Sequence, residues 1–444
     1  MTQFVALKRS LTMSHIVTMG LAWMSPMIFF TSIGVLYEGS GGRLFAAYLI
    51  AFIAIFFTAL SYGQMAKAFP KSGSAYTYVS KSFNPVLGFI VGWAVLLDYI
   101  FACIVSVLMF GINLNAQFHS IPIFVWVTLV TLIVMIVNIV GIKFSANMNK
   151  IFVILQIVFI AGFCALLIYR AVNNGMTFGL NPLSNPHSVP FSMIMGGASL
   201  VVFSFLGFDS VTTLAEETKS PKNIIPRSIM WIIGIAGLLY FTTAYLIQQM
   251  YPELAFTNPD SAGFELMRII AGPGLSSIFT FVIIFAVFSQ AMSSLTTVTR
   301  LLYVMGQSSL LPKLTFGSVH PKFNTPTFNI VLMSLVSLAA LFISLENAIR
   351  FLNFGALSAF FFVNLSVPVH YVVREKRRSP KDLFIRLLCP SVGAMFILYL
   401  FSLLDSLSFW LGGTWLFIGI VIYLFRKKKV TMDSQSDTIG THSI

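Results

Sequence analysis

Long apolar runs follow one another along the whole chain, separated by short polar segments. Twelve can be drawn: 16–36, 44–66, 84–116, 122–141, 148–170, 191–216, 229–250, 273–299, 326–344, 346–368, 383–404 and 409–425. About 20 predominantly apolar residues suffice for a helix to cross a bilayer. Runs of this length exclude a membrane barrel, whose strands are about ten residues long and alternate in polarity. Composition sharpens the point: 57% of the 444 residues are hydrophobic and only 9% are charged, against about a quarter charged in soluble domains. A soluble enzyme, a nucleic-acid-binding protein and a secreted domain are therefore excluded. The expected class is an all-α integral membrane protein with twelve transmembrane helices. The third run is overlong, so it is expected to tilt strongly or to contain an interfacial turn.

Charge sets the topology. With the N terminus placed inside, 23 of the 27 lysines and arginines fall in inside segments and only Arg43, Arg170, Arg268 and Arg350 fall outside. This bias is what the positive-inside rule requires of an even number of spans with both ends inside. It accounts for the net charge of +13 without a nucleic-acid partner. Residues 1–15 then form a cytoplasmic N-terminal segment. Residues 426–444 form a polar cytoplasmic tail without regular structure.

Several kinds of chemistry find no support. Cys103, Cys164 and Cys389 are far apart within apolar runs, with no paired spacing for a disulfide framework or a metal site. The six histidines share no metal-ligand spacing. No phosphate-binding loop is present, and no nucleophile–base pair suggests an intramembrane enzyme. Metal and cofactor are both read as none. A passive channel or amine sensor is disfavoured by the short inside loops.

Two runs carry interruptions at matching places. The first contains Ser25-Pro26 near its middle; proline removes a backbone donor and clashes with the preceding turn. The sixth contains Gly207 and Asp209 near its middle. These are the first helices of two five-helix halves, and paired interruptions of this kind point to an inverted-repeat transporter whose freed backbone groups face a central cavity. The expected architecture is an inverted repeat of two five-helix halves, with repeat one over about 16–170 and repeat two over about 191–368. Helices 1 and 6 are broken, and two extra helices occupy about 383–425.

The 14 acidic residues can be sorted completely. Ten fall in loops or the tail. The remaining four are Asp98 in run 3, Asp209 in run 6, and Glu216-Glu217 at the inner end of run 6. No lysine or arginine lies at mid-depth of any run as drawn. An unpaired carboxylate in a membrane core takes up a proton or pairs with a cation. Both outcomes suit a transporter of a cationic substrate coupled to protons. Structural alternatives stand beside each: Asp209 as a cap on the second half-helix, and Asp98 hydrogen-bonded to a neighbouring helix. Glu216 and Glu217 form either a solvated helix end or a gate paired with inner-loop lysines.

The run SYGQMAKAFPKSGSAYTYVSKSFNPVLGFIVGWAVLLDY from Ser61 resembles the amino acid–polyamine–organocation superfamily, as does FSFLGFDSVTTLAEETKSPKNIIPRSI from Phe203. RLLYVMGQSSLLPKLTFGSVHPKFNTP from Arg300 and NFGALSAFFFVNLSV from Asn353 resemble its bacterial putrescine importer branch. The resemblance covers about residues 10–425. It implies a proton-driven secondary transporter in the plasma membrane, with a LeuT-like five-plus-five inverted repeat and two extra C-terminal helices. Ser25, Pro26 and Met27 would lie at the first break, and Phe205, Leu206, Gly207, Phe208 and Asp209 at the second. Asp98 and Tyr99 would face the site from span 3. A diamine needs carboxylates for its ammonium ends and aromatic faces around its methylenes, which Asp98, Tyr99, Phe205 and Phe208 supply.

Against that pattern, Gln156 stands where several amino acid carriers have a lysine. A neutral amide lowers repulsion toward a dication, or it simply bridges two helices. Thr31 stands where the putrescine branch has an aspartate, so the substrate could carry a single amine. The glycine-rich element that holds a substrate carboxylate in amino acid carriers is replaced by WMSPM. The expected function is import of putrescine or a similar small amine by proton symport, with Asp98, Gln156, Glu216 and Glu217 as coupling or gating residues. The alternative is an amino acid permease or exchanger. The partners are the substrate, protons and the lipid bilayer.

Overall fold

The computed structural model describes residues 7–440, apart from 177, 180–181, 183–188, 255, 257–261 and 309; of residues 116, 271, 273 and 425–440 it describes the backbone alone. His187, Asp260 and His442, and the side chains of the basic run 426–429, lie outside the described residues. Every regular element among them is helical, apart from one isolated bridge between Leu11 and Thr218.

The order is α1 Met13–Met24, α2 Ile28–Gly39, α3 Leu44–Ala68, α4 Ser74–Ser82, α5 Pro85–Gln117, α6 Ile123–Val140, α7 Ile142–Asn173 and α8 Phe191–Val201, followed by 3₁₀ segments Val202–Phe205 and Ser210–Glu217. Then come α9 Pro221–Met250, α10 Ala262–Gln307, α11 Lys313–Phe316, α12 Thr327–Ser337, α13 Leu345–Pro368, α14 Pro380–Leu383, α15 Cys389–Ser402 and α16 Ser406–Gly440. Among the described residues ten helices are long and apolar enough to cross a membrane, and the α1–α2 pair, bent by 42°, makes an eleventh when taken as one. Residues Thr327–Leu341 form a shorter apolar helix where the ninth run was drawn. Its last turn, Leu338–Leu341, is 3₁₀, and Phe342 leaves the helical conformation.

Local chemistry explains the ends. Asn84 caps α5 by accepting the Leu87 N–H at 2.9 Å, with Pro85 in the first turn where no donor is missed. Nothing then interrupts the helix for 33 residues, so the interfacial turn considered for run 3 is absent. The tail expected to lack structure continues α16 as helix to Gly440; a helix already running adds residues without a new nucleation cost.

Side-chain placement is that of a bilayer protein. The outward face of α7 exposes Ile151, Ile154, Val158 and Ile168, a helical stripe that water would penalise and lipid accepts. On the same helix Ser145, Asn149 and Gln156 are buried instead. In the interior, α5 packs against α13, α10 and α4, while α1 packs against α7, α9 and α10. α16 is fastened to α5 by two tryptophans: Trp93 Nε1 donates to the Trp415 carbonyl at 2.9 Å and Trp415 Nε1 returns the bond to the Trp93 carbonyl at 2.7 Å. α5 is thus a central helix held from several sides, and Asp98 and Tyr99 lie five and six residues beyond that clamp.

Candidate functional site

The first interruption is a three-residue gap. Pro26 cannot return an N–H to the preceding turn, and Ser25 takes φ 49°, a left-handed conformation rare for serine. Its own N–H closes α1 on the Leu21 carbonyl at 2.8 Å, and α2 restarts when the Ile28 N–H reaches the Ser25 carbonyl at 2.8 Å. The second interruption is longer. α8 tightens to 3₁₀, and Leu206–Asp209 form irregular turns. The segment resumes as eight 3₁₀ residues, an unusual length for that helix type. Gly207 sits at φ 108°, and a Cβ there would run into the Trp23 indole. Only glycine lets the second break close on Trp23, two residues before Ser25.

α5 brings Asp98 and Tyr99 to these breaks. Tyr99 Oη donates to Asp209 Oδ2 at 2.6 Å and also meets Ser74 Oγ at 3.2 Å. Asp209 Oδ1 and Asp98 Oδ1 are buried with no hydrogen-bond partner. The two carboxylates interact electrostatically with each other, and neither forms an ion pair with any described residue. Gly355 of α13 permits the close approach at Asp98, because a Cβ there would stand 2.6 Å from the Ala94 carbonyl oxygen and 2.7 Å from the Asp98 nitrogen. Aromatic rings surround the group. Tyr62 stands edge-on to Phe208 at 5.5 Å and to Phe360 at 5.7 Å, and Trp23 stands edge-on to Tyr99 at 6.4 Å. Everything at this centre is sealed: Asp98 is 2% exposed, Asp209 1% and Tyr99 0%.

The structural alternatives for these residues meet the geometry as follows. Asp209 occupies the cap position of Ser210–Glu217 without a side-chain cap hydrogen bond; its hydrogen-bond partner is Tyr99, while backbone groups of Gly207, Asp209 and Ser210 interact with its carboxyl electrostatically. Asp98 Oδ1 is bonded to no neighbouring helix. Gln156 is fully buried with both amide atoms unpartnered, so it bridges no helices, and it does not join the Tyr99 group. Phe205 packs against Tyr240 at 5.2 Å and Tyr48 at 6.2 Å. Leu206 is buried beside it, and Ser25 and Met27 are buried at the first break.

The far end of the second break is different. Glu217 is gripped by Arg300: Nε to Oε2 at 3.1 Å and Nη2 to Oε1 at 3.2 Å, both side chains 1% exposed. The expected lysine partner of Glu217 is corrected here: the partner is Arg300, near the end of α10. α10 continues through Leu301–Gln307 beyond the drawn end of run 8, so Arg300 lies inside the helix. Glu216 instead gives its N–H to Ser72 Oγ at 3.1 Å and interacts electrostatically with Lys71 and Arg9. The N-terminal segment seals this end: the N–H groups of Ser10 and Leu11 both reach the Glu217 carbonyl at 2.9 Å. Leu7 is buried against Tyr303 and Val304.

Trp23, Tyr62 and Phe360 stand around this centre, Ser74 lies behind it on Tyr99, and Arg300 holds Glu217; none of the five was singled out from sequence. Trp23 had a signal, standing two residues before Ser25. Arg300 had another, since apolar residues resume directly after it. Tyr62, Ser74 and Phe360 had none.

Broken helices around a sealed carboxylate centre are the features of a carrier, and comparison with known proteins agrees. The amino acid permease family model matches residues 15–425. This chain belongs to the amino acid permease family. It is 38% identical over 428 residues to the low-affinity putrescine importer PlaP of Escherichia coli K12, covering 95% of this chain and 94% of that one. It is 28% identical to the branched-chain amino acid permease BcaP of Bacillus subtilis over 96% of this chain and 94% of the relative. A methylthioribose transporter of Bacillus subtilis is 26% identical over 96% and 94%. The chain is therefore a multi-pass membrane transporter of the amine and amino acid class, not an enzyme, and its resemblance to the putrescine importer branch is established.

Proposed function

We propose that this permease imports putrescine or a similar small amine by proton symport across the plasma membrane. The observation that carries the proposal is the pair Asp98 and Asp209: two buried carboxylates in mutual electrostatic reach, with a tyrosine and no cation as resident partner. Two such charges cannot be left uncompensated in a dry interior. A substrate ammonium or a proton supplies what the protein withholds. The aromatic faces of Trp23, Tyr62, Phe208 and Phe360 suit an alkyl diammonium, whose charge favours ring faces and whose methylenes favour apolar walls. The similarity to the putrescine importer points the same way.

In this reading the chain has twelve spans, Thr327–Leu341 serving as the ninth, with both termini in the cytoplasm. Residues 16–170 and 191–368 form the inverted repeats, followed by two extra helices and the tail. Ser25, Pro26, Met27 and Leu206 to Asp209 line the substrate path with Asp98 and Tyr99, and Phe205 backs it. Glu217 with Arg300, and Glu216 with Ser72, close the cytoplasmic side, while Gln156 leaves span 5 neutral toward a dication. Rocking of spans 1, 2, 6 and 7 against spans 3, 4, 8 and 9 exposes the centre alternately.

A second reading, an amino acid permease, has one observation in its favour. Thr31 offers no carboxylate for a second ammonium, its hydroxyl being turned back to the Ile28 carbonyl at 3.1 Å. Uptake of labelled putrescine into proteoliposomes under an imposed proton gradient separates the two. Accumulation that unlabelled diamines block and α-amino acids do not supports the first reading. Accumulation of an amino acid instead, with putrescine ignored, sinks it.

A further inference from the structure

We infer that Ser74 and Tyr99 form a proton wire that loads and unloads Asp209 from the cytoplasmic side, opened and shut by the Glu216–Ser72 contact. The inference rests on the proton-symport reading and concerns the route, on which that reading is silent.

Tyr99 has one hydroxyl proton and sits between two oxygens: Asp209 Oδ2 at 2.6 Å and Ser74 Oγ at 3.2 Å. With Asp209 ionised, the order of donation is fixed, because a carboxylate only accepts. Tyr99 donates to Asp209 and Ser74 donates to Tyr99. With Asp209 protonated on Oδ2, the same three groups point the other way, Asp209 to Tyr99 and Tyr99 to Ser74. Passing between these arrangements moves one proton. For release, the Asp209 proton goes to Tyr99 Oη as the Tyr99 proton goes to Ser74 Oγ and the Ser74 proton goes to water. No group is left charged except the Asp209 carboxylate, and the departing proton balances it.

The far terminus of the wire lies where such water would arrive. Ser74 begins α4, three residues after exposed Lys71, in the loop that leaves α3. It is held at φ 49° and is 0% exposed. The plug over that loop is Ser72, buried and bonded through Oγ to the Glu216 N–H. Glu216 belongs to the 3₁₀ segment after the second break, so movement of that segment uncovers Ser72 and then Ser74. Proton exchange and opening of the gate become one event. The titratable groups around Asp209 are Asp98 and Tyr99 on α5, Tyr62 on α3 and Tyr78 on α4. Around the plug they are Glu217, Lys71, Arg9 and Tyr303, with Arg300 held by Glu217. Among the described residues none but Tyr99 is hydrogen-bonded both toward Asp209 and toward the loop.

The test compares two assays on full-length protein in the same proteoliposomes. Net uptake of labelled putrescine under a proton gradient requires a proton to be discharged each cycle. Exchange of labelled for internal putrescine at equal pH does not. Ser74→Ala is expected to slow net uptake on the order of 100-fold, the scale of a lost proton carrier, and to leave exchange within about twofold; its net uptake should recover as inside pH is raised. Tyr99→Phe should lose net uptake as well. A wild type driven by the proton gradient with an unimpaired Ser74→Ala overturns the wire alone. Equal losses of net uptake and exchange in Ser74→Ala also overturn it, since Ser74 would then only support the site. A wild type indifferent to the gradient removes the symport reading and the wire with it.

Discussion

Asp209 and Glu217 lie eight residues apart on one broken span, each 1% exposed, and their surroundings are opposite. Glu217 is held by both arms of Arg300, and its carbonyl holds the N-terminal segment. Asp209 has a tyrosine on one oxygen and nothing on the other. Burial alone therefore does not define a working carboxylate in this fold. In the proposed reading, a resident cation makes Glu217 part of a latch, whereas its lack leaves the Asp209 charge available to something that comes and goes.

The largest effect should come from breaking the latch. Arg300→Gln leaves Glu217 buried without its partner and should cost about 3–5 kcal/mol of stability, read as a fall in melting temperature of the purified protein. Replacing both partners with apolar residues of similar volume should recover much of that loss. A single variant as stable as wild type would break the comparison on the latch side.

The reverse pattern is expected at the centre. Asp209→Asn keeps an acceptor for Tyr99 and removes only charge, so folding should be unharmed or improved. Putrescine uptake should fall by about 2 kcal/mol or more, the scale of truncating a buried charge partner. Asp98→Asn should behave alike, and retained uptake with its pH dependence intact in either variant would contradict the cation-binding role.

A smaller change probes the aromatic wall. Phe360→Leu preserves volume but removes a ring face, and should weaken putrescine by roughly 0.5–2 kcal/mol while sparing stability. An unchanged affinity would take Phe360 out of the site. The smallest effect belongs to the opposite end of the bundle, where Asp405 accepts from Ser408 and pairs with Arg350 at 2.6 Å. The Ser408 bonds, then Arg350, hold this carboxyl below its usual range. Its contribution is thus present above pH about 4 and lost as pH falls below that. Because the group is largely solvent-facing, Asp405→Asn should cost no more than about 0.5 kcal/mol, seen as a shallower loss of melting temperature on acidification.

How much of this the sequence carried follows the same division. The apolar helices were legible because lipid leaves only apolar helices as a solution, and the two breaks because proline and glycine act locally. Asp98 and Asp209 were legible because charge is rare there. Arg300 was missed because a run was ended at its first basic residue, although the apolar pattern resumes at Leu301. Its pairing with Glu217 spans 83 positions, and no local period encodes it. Tyr62 and Phe360 were hidden for another reason: with Phe, Tyr and Trp making up 15% of the chain, no single ring stands out until helices α3 and α13 are placed. Gln156 was singled out, yet the structure shows it bonded to nothing.

One measurement tests the contrast most directly: melting temperatures of wild type and Asp209→Asn, each with and without saturating putrescine, at fixed pH. The account predicts equal or higher stability for the substrate-free variant, a clear upward shift of wild type by putrescine through mass action, and no shift in Asp209→Asn. A substrate-free Asp209→Asn that melts well below wild type, or one that putrescine stabilises as fully, would mean that Asp209 is a structural carboxylate after all.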